Sequence, residues 1–218
     1  MSATTSRQHR RGKIDVKLFA ARDRDAGREP VAAQDLVPVF HRWIQRSALA
    51  GELLIDVADY SHVHHGPGVL LVAHEGIYAY DGEDGRPGLL YSRRRPGADE
   101  EGAGGDGGGD DGGLRHALRV VLARALRACR ELEADVPSLG FPGGELLLRL
   151  NDRLESGASA AAEAALRGEL APLLATLYPG REVRVERTGE PRERLTLAVR
   201  AAEAPGAAKL LDRLEAAS

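Results

Sequence analysis

The stretch DYSHVHHGPG, residues 59–68, carries the side chains best suited to chemistry in this sequence. If the preceding strand continues to residue 65, His62 and His64 project from the same face, because side chains alternate along a strand. Two such imidazoles can bind one zinc or manganese ion, and His65 could supply a third ligand. The alternative is a polar hairpin whose histidines form local hydrogen bonds. We favour the hairpin, since the spacing matches no established metal motif.

Two carboxylates could act at the same place. Asp59 begins the stretch, and Glu75 lies beyond the Gly66–Gly68 turn. A carboxylate removed from water beside a histidine can act as a general base, and either group could also be a metal ligand. Asp59 and Glu75 are therefore the candidate catalytic residues of a metal-dependent, hydrolytic enzyme. The alternative is that both are ordinary surface charges, with Glu75 in a cross-strand ion pair with Arg93.

An arginine cluster is the third feature that could bind a ligand. Arg93, Arg94 and Arg95 end a predicted strand, LLYSRRR, and could contact an anion or the phosphates of a nucleic acid. The formal net charge of −3 argues against a surface built wholly for nucleic acid. The acidic segment that follows could also fold back onto these arginines. We therefore do not favour nucleic acid as the partner.

Composition excludes several classes of protein. The single cysteine, Cys129, cannot form an internal disulfide or a multi-cysteine zinc site. No stretch approaches the roughly 20 apolar residues of a membrane span, and no signal peptide is apparent. Neither a nucleophile elbow nor a phosphate-binding loop occurs. We expect a soluble cytoplasmic protein, and the heavy use of Ala, Arg, Gly and Leu suggests a bacterial source.

Periodicity and composition divide the chain into four segments. Residues 1–12 are predicted to be a disordered basic tail, and residues 13–96 a β-α-β-β unit followed by a hairpin. Residues 97–113 are rich in glycine and aspartate and are predicted to be a flexible acidic linker. Residues 114–218 are predicted to contain a linking helix, a second β-α-β-β unit and a C-terminal helix.

The order strand–helix–strand–strand occurs twice, in residues 13–75 and 145–200. We interpret this as an internal duplication. Strands with one apolar face indicate antiparallel or mixed sheets that are covered by helices on one side. The predicted fold class is α+β.

Four stretches carry a resemblance to a known family: VFHRWIQ, LLIDVADYSHVHHGPGVLLVAHEG, GLLYSRRR and LNDRL. Together they resemble a family of small uncharacterised bacterial α+β proteins. The resemblance implies a compact bacterial domain and carries no activity, cofactor or catalytic residue.

These observations lead to three hypotheses about function. The favoured one is a non-enzymatic binding or assembly module, which pairs an open strand edge with a protein partner or with a second copy of the chain. The second is the divalent-metal-dependent enzyme built on the histidines of residues 59–68. The third is nucleic-acid binding through the arginines.

Overall fold

One sheet dominates the protein. The structure is a computed structural model and describes residues 13–21, 31–64, 66–94, 111–151, 159–189 and 194–217. The strands in these residues are β1 (Lys13–Phe19), β2 (Leu54–Tyr60), β3 (Gly68–Ala73), β4 (Gly76–Asp81), β5 (Gly88–Arg93), β6 (Glu145–Asn151), β7 (Val183–Thr188) and β8 (Leu195–Ala201). The helices are α1 (Val37–Arg46), α2 (Asp111–Asp135), α3 (Ala160–Leu177) and α4 (Ala207–Ala216), with short 3-10 turns at Ala33–Leu36 and Glu83–Gly85.

The strand order is β2-β3-β4-β5-β1-β6-β8-β7, and every neighbouring pair is antiparallel. The first strand along the chain therefore lies in the interior of the sheet, between β5 and β6. The two edges are β2 and β7. The strands from β2 to β5 follow one another along the chain as a meander.

The predicted fold class, α+β with duplicated β-α-β-β units, was wrong. The described residues form a single antiparallel sheet of eight strands, to which four helices are added, and nothing in it indicates a duplication. The two proposed units also pair differently. Strand β6 pairs directly with β8, whereas the β4–β5 hairpin separates β1 from β3. A similar order of elements thus arose without a similar arrangement of strands.

The inner face of the sheet carries the main core. Alternation places Ile14, Val16 and Leu18 of β1 on this face, where all three are buried. Helix α2 packs on β1 and β5, and α1 packs on β2. The helical period of the sequence from Leu114 to Asp135 predicts that Leu114, Leu118, Val121, Leu122, Ala125, Cys129 and Leu132 share one side of this helix. Leu114 is half-buried, and the other six are buried as predicted.

The outer face differs from the sequence-based prediction. The alternation of apolar and polar residues in KIDVKLF, taken from the sequence alone, predicts a half-buried strand whose polar side carries Asp15 and Lys17, yet both residues are buried. Their neighbours on this face include Phe19, Leu147 and Ala198, which form a small apolar cluster of their own. Around β1 the outer face is therefore buried, whereas Arg184 of β7 and Arg200 of β8 on the same face are exposed.

Several element boundaries were also revised. The sequence alone predicts one long strand for GVLLVAHEGIYAY, but this stretch forms β3 and β4 with a tight turn at His74 and Glu75. Helix α2 begins at Asp111, inside the segment predicted to be a linker. The predicted basic tail, 1–12, and residues 97–110 of the predicted linker lie outside the described residues.

Candidate functional site

His62 and His64 lie in a turn and not on a strand. Strand β2 ends at Tyr60, because Asp59 Oδ1 accepts a hydrogen bond from the Ser61 N–H at 2.8 Å and the Val63 N–H bonds to the Tyr60 carbonyl at 3.0 Å. These local bonds take the backbone out of the sheet. The premise that His62 and His64 alternate along a strand is therefore wrong. Both side chains are exposed.

The metal site stays a prediction. Among the described residues, no group of three or more His, Cys, Asp or Glu side chains is placed to hold a metal ion. His65, which was to complete the set, lies outside the described residues. The hydrogen bonds from Ser61 also lower the pKa of Asp59. A carboxylate of lowered pKa is a weaker base near neutral pH, so this environment does not favour Asp59 as the general base.

Glu75 pairs with a different arginine from the one predicted. The register places Gly76 opposite Arg93, one residue away from the predicted match. The Glu75 carboxylate instead accepts a hydrogen bond from Arg124 Nη2 of α2 at 2.7 Å. Glu75 therefore joins a cluster on the inner face, and the structure does not place it with the histidines in a metal-binding group.

That cluster is the most perturbed group of ionisable residues in the described part of the chain. Four elements contribute to it: Glu52 precedes β2, Tyr78 lies on β4, Tyr91 on β5 and Arg124 on α2. The Tyr78 hydroxyl donates to Glu52 Oε1 at 2.9 Å, and Arg124 Nη1 donates to the Tyr91 hydroxyl at 3.1 Å. Arg124 also forms an ion pair with Glu52. The two tyrosine rings lie 4.6 Å apart, centroid to centroid.

Burial controls the electrostatics of this cluster. The Glu52 side chain is only 2% exposed, and its Oε2 atom has no hydrogen-bond partner among the described residues. Desolvation raises the pKa of Glu52, although Arg124 opposes that change. Desolvation likewise raises the pKa of Tyr91 to about 12 and that of Tyr78 further. Chemically, the cluster can hold a proton on Glu52 at a higher pH than an exposed glutamate can.

We expect Glu52→Gln to change how stability depends on pH. The folded protein holds the Glu52 proton more tightly than the unfolded chain does, so this residue favours folding most at low pH. Its contribution is lost as pH rises from the ordinary glutamate value through the raised one. Glutamine keeps an acceptor for Tyr78 and does not titrate. Thermal unfolding between pH 4 and 8 should therefore show the wild type losing Tm relative to the variant as pH rises.

Glu163→Gln is a control for which the pH dependence of stability should have the opposite sign. Hydrogen bonds from Arg167 lower the pKa of Glu163, so its contribution is present at neutral pH and is lost as pH falls. As pH rises, the wild type should lose Tm relative to Glu52→Gln and gain Tm relative to Glu163→Gln. Parallel curves for the two would contradict the assignment of Glu52 as a buried, proton-holding group.

The sequence-based predictions did not include Glu52 or Arg124 as site residues. Tyr78 and Tyr91 were noticeable only as tyrosines near an arginine-rich strand end, and Arg124 as one arginine on a polar helix face. No local motif joins them, since their contact depends on how α2 packs on the sheet. Arg93 is half-buried at the end of β5 and Arg94 is exposed, while Arg95 lies outside the described residues. Their role in binding anions stays a prediction.

Nucleophilic chemistry at the single cysteine has no support. Cys129 is fully buried on α2, and desolvation raises the pKa of its thiol. A thiol of raised pKa forms little of the reactive thiolate. Its position is that of a core residue.

None of the helices within the described residues is long and apolar enough to cross a membrane. The resemblance to a family of small uncharacterised bacterial proteins stays a prediction. No family model matches the chain, and no curated protein matches its sequence.

Proposed function

We propose that this chain is a non-enzymatic assembly module that binds a second copy of itself along β2. The observation that carries the proposal is the placement of exposed apolar side chains. Within the described residues, the large ones all lie on this edge strand or directly beside it: Leu53, Ile55, Tyr60 and Val63. Leu53 is 67% exposed. Apolar side chains gathered on one surface commonly mark a protein interface.

Two-fold symmetry makes this edge complementary to itself. Leu53 and Ile55 lie at one end of β2, and Tyr60 and Val63 at the other. When two copies approach antiparallel, the first apolar end of each copy lies against the second apolar end of the other. With Ala58 on the two-fold axis, Leu53, just before β2, and Val63, in the turn after it, lie beyond opposite ends of the paired strands.

The acidic side chains of the strand are compatible with this register. Asp56 faces Tyr60 of the second copy, and Asp59 faces Val57. No carboxylate therefore lies directly opposite another, which would be destabilising. Asp56 and Asp59 of both copies nevertheless lie close to the two-fold axis, so their like charges act against association.

Asp56 limits how tightly the edges can pair. Its Oδ1 accepts a hydrogen bond from the Val57 N–H at 2.8 Å, so one backbone donor of the edge is already satisfied. The pairing of β2 with β3 also shifts register between Leu54 and Asp56. Charges and irregularities of this kind protect sheet edges from uncontrolled pairing. We therefore infer a reversible association that depends on side chains, with Asp56 acting against it.

Sedimentation equilibrium of the full chain tests the proposal through two variants of opposite effect. Ile55→Asp should weaken self-association about tenfold or more, because it replaces an apolar contact with a charge. Asp56→Ala should strengthen it, because the Val57 N–H becomes available to the second copy. Glu182→Ala, an exposed acid beside the other edge, is the matched control and should have no effect.

A wild-type protein that stays monomeric at every accessible concentration would refute the proposal. So would a dimer whose dissociation constant is unchanged by Ile55→Asp.

A cytoplasmic location belongs to the same proposal. The only cysteine is a free, buried thiol, which needs no oxidising compartment.

A further inference from the structure

The outer face of the meander, strands β2 to β5, carries apolar side chains outside the main core. The register of the strands aligns eight outer positions in two rows. The first row is Asp56, Val72, Ile77 and Ser92, and the second is Ala58, Leu70, Ala79 and Leu90. Six of these side chains are apolar. The main core contains buried residues of all four described helices and includes none of the six. We call this separate surface the meander face.

The sequence of the meander is that of strands covered on both faces. Strands β3, β4 and β5 contain the runs GVLLVA, GIYAY and GLLY, in which apolar residues follow one another without alternation. A strand with one face in water alternates instead, as β7 does with its exposed Arg184 and Glu186. In β3, Leu71 on the inner face is fully buried, whereas Leu70 and Val72 on the outer face are only half-buried. The outer face therefore has the composition of a covered surface and is only partly covered.

The rest of the chain cannot supply this cover. Outside the described residues, the sequence consists mainly of glycine, alanine and charged or polar residues. Among Val, Ile, Leu, Met, Phe, Tyr and Trp, these stretches contain only Met1 and Leu154. Removing the remaining apolar surface of the meander face from water requires a comparable apolar surface on the other side. That surface has to come from another molecule.

A second copy of the chain offers such a surface, because the second row of the meander face is complementary to itself in shape. Small and large side chains alternate along it: Ala58, Leu70, Ala79 and Leu90. A two-fold axis parallel to the strands, between β3 and β4, places β3 of one copy over β4 of the other and β2 over β5. Leu70 then lies opposite Ala79 of the second copy, and Leu90 lies opposite Ala58. Large side chains facing small ones allow two packed sheets to interdigitate.

The first row is compatible with the same arrangement. Val72 lies opposite Ile77 of the second copy, so branched apolar side chains meet near the axis. Asp56 lies opposite Ser92, at the margin of the contact. No carboxylate of these rows therefore faces another carboxylate, and the centre of the contact is apolar, as is usual for interfaces between copies of a protein.

We propose that the meander face binds the meander face of a second copy, so that two sheets pack face to face. This contact uses a different surface from the β2 edge and does not require that edge to pair. At the usual spacing of strands and residues, its eight positions cover roughly 250 Å². A stable interface buries about 800 Å² per partner. The contact is therefore weak and reversible, and it adds to association through β2.

Sedimentation equilibrium in the Ile55→Asp background isolates this contact, because that substitution acts on the β2 edge. The Ile55→Asp protein should still form a reversible dimer at high concentration. Adding Val72→Thr/Ile77→Thr should weaken this dimer about tenfold or more, because hydroxyl groups then lie at its apolar centre. Threonine keeps the branched shape and the preference for strands. Val120→Thr, at a half-buried valine of α2, is the matched control and should have no effect.

A change of side-chain size tests the complementarity directly. Ala79→Leu adds apolar surface, yet it should weaken the dimer, because a large side chain then meets Leu70 of the second copy. Ala79→Leu/Leu70→Ala should restore association, since a large side chain again faces a small one. Non-specific apolar contact would instead be strengthened by Ala79→Leu and weakened by the removal of Leu70.

The two surfaces can fail separately. If Ile55→Asp forms no dimer at any accessible concentration, the contact through the meander face is overturned and association through β2 is left intact. A dimer that Val72→Thr/Ile77→Thr leaves unchanged, with Tm retained, overturns it as well, and so does one that Ala79→Leu strengthens. If the wild type and Ile55→Asp associate equally and the size variants behave as expected, the meander face is supported and association through β2 is refuted.

Discussion

Gly68→Ala is expected to destabilise the protein by about 3–4 kcal/mol, because a Cβ atom is unfavourable at this position for two reasons. Gly68 has φ of +68°, a conformation that disfavours residues with a Cβ. A Cβ here would also overlap the carbonyl oxygen of Tyr80 on the neighbouring strand β4. Backbone atoms inside a sheet cannot move aside without breaking hydrogen bonds. Urea denaturation of the wild type and the variant measures the loss.

Gly85→Ala separates the two causes. Gly85 has a similar φ of +75°, but apart from its two chain neighbours no described residue has an atom within 4 Å of the position its Cβ would occupy. This variant should therefore show only the conformational cost, about 1–2 kcal/mol. If both alanine variants lost the same stability, crowding against Tyr80 would have no role, and the close approach of β3 and β4 would be refuted.

Lys17→Met is expected to destabilise the protein by about 3–5 kcal/mol. The Lys17 side chain has no exposed surface, and its Nζ lies 2.6 Å from Asp81 Oδ1 and 2.6 Å from the Glu83 carbonyl oxygen. Removing the ammonium leaves the Asp81 carboxylate buried without its counter-charge. The cost of that isolated charge, rather than lost packing, sets the size of the effect. Chemical denaturation at neutral pH measures it.

A second substitution should recover part of this loss. In Lys17→Met/Asp81→Asn the buried charge is gone, while the asparagine oxygen can still accept the hydrogen bond that Glu83 N–H now gives to Asp81. The double variant should be more stable than Lys17→Met alone. The coupling between the two sites then follows from a double-mutant cycle that includes Asp81→Asn. A coupling of zero would show that the pair contributes nothing through its charges.

Local elements of this fold could be predicted because their signals are local. The alternation of KIDVKLF defined β1, and the period of α2 identified its buried stripe. The arrangement of strands could not be predicted in the same way. The pairing of β1 with β5 and β6 depends on residues far away in the chain, and no short-range pattern encodes it. The turn at His74 was missed because apolar residues continue on both sides of it.

The same limit applied to the candidate sites. Histidines close together in sequence indicated residues 59–68 as a candidate site, yet His62 and His64 lie in an exposed turn. The groups that the structure brings together come from separate elements, as Glu52, Tyr91 and Arg124 do. Charged residues on strand β1 were expected to face water, since alternation shows which residues share a face but not what covers that face.

The interior position of β1 has a consequence for how the chain reaches its native state. Strands β2 to β5 can each pair with a strand next to it in sequence. Strand β1 instead pairs with β5 and β6, which are both distant along the chain, and β6 also follows α2. Contacts that close long loops form slowly. We therefore expect the meander to form early and β1 to enter late, closing the gap between two partial sheets. The first of the described strands along the chain, β1, is therefore expected to be among the last to pair.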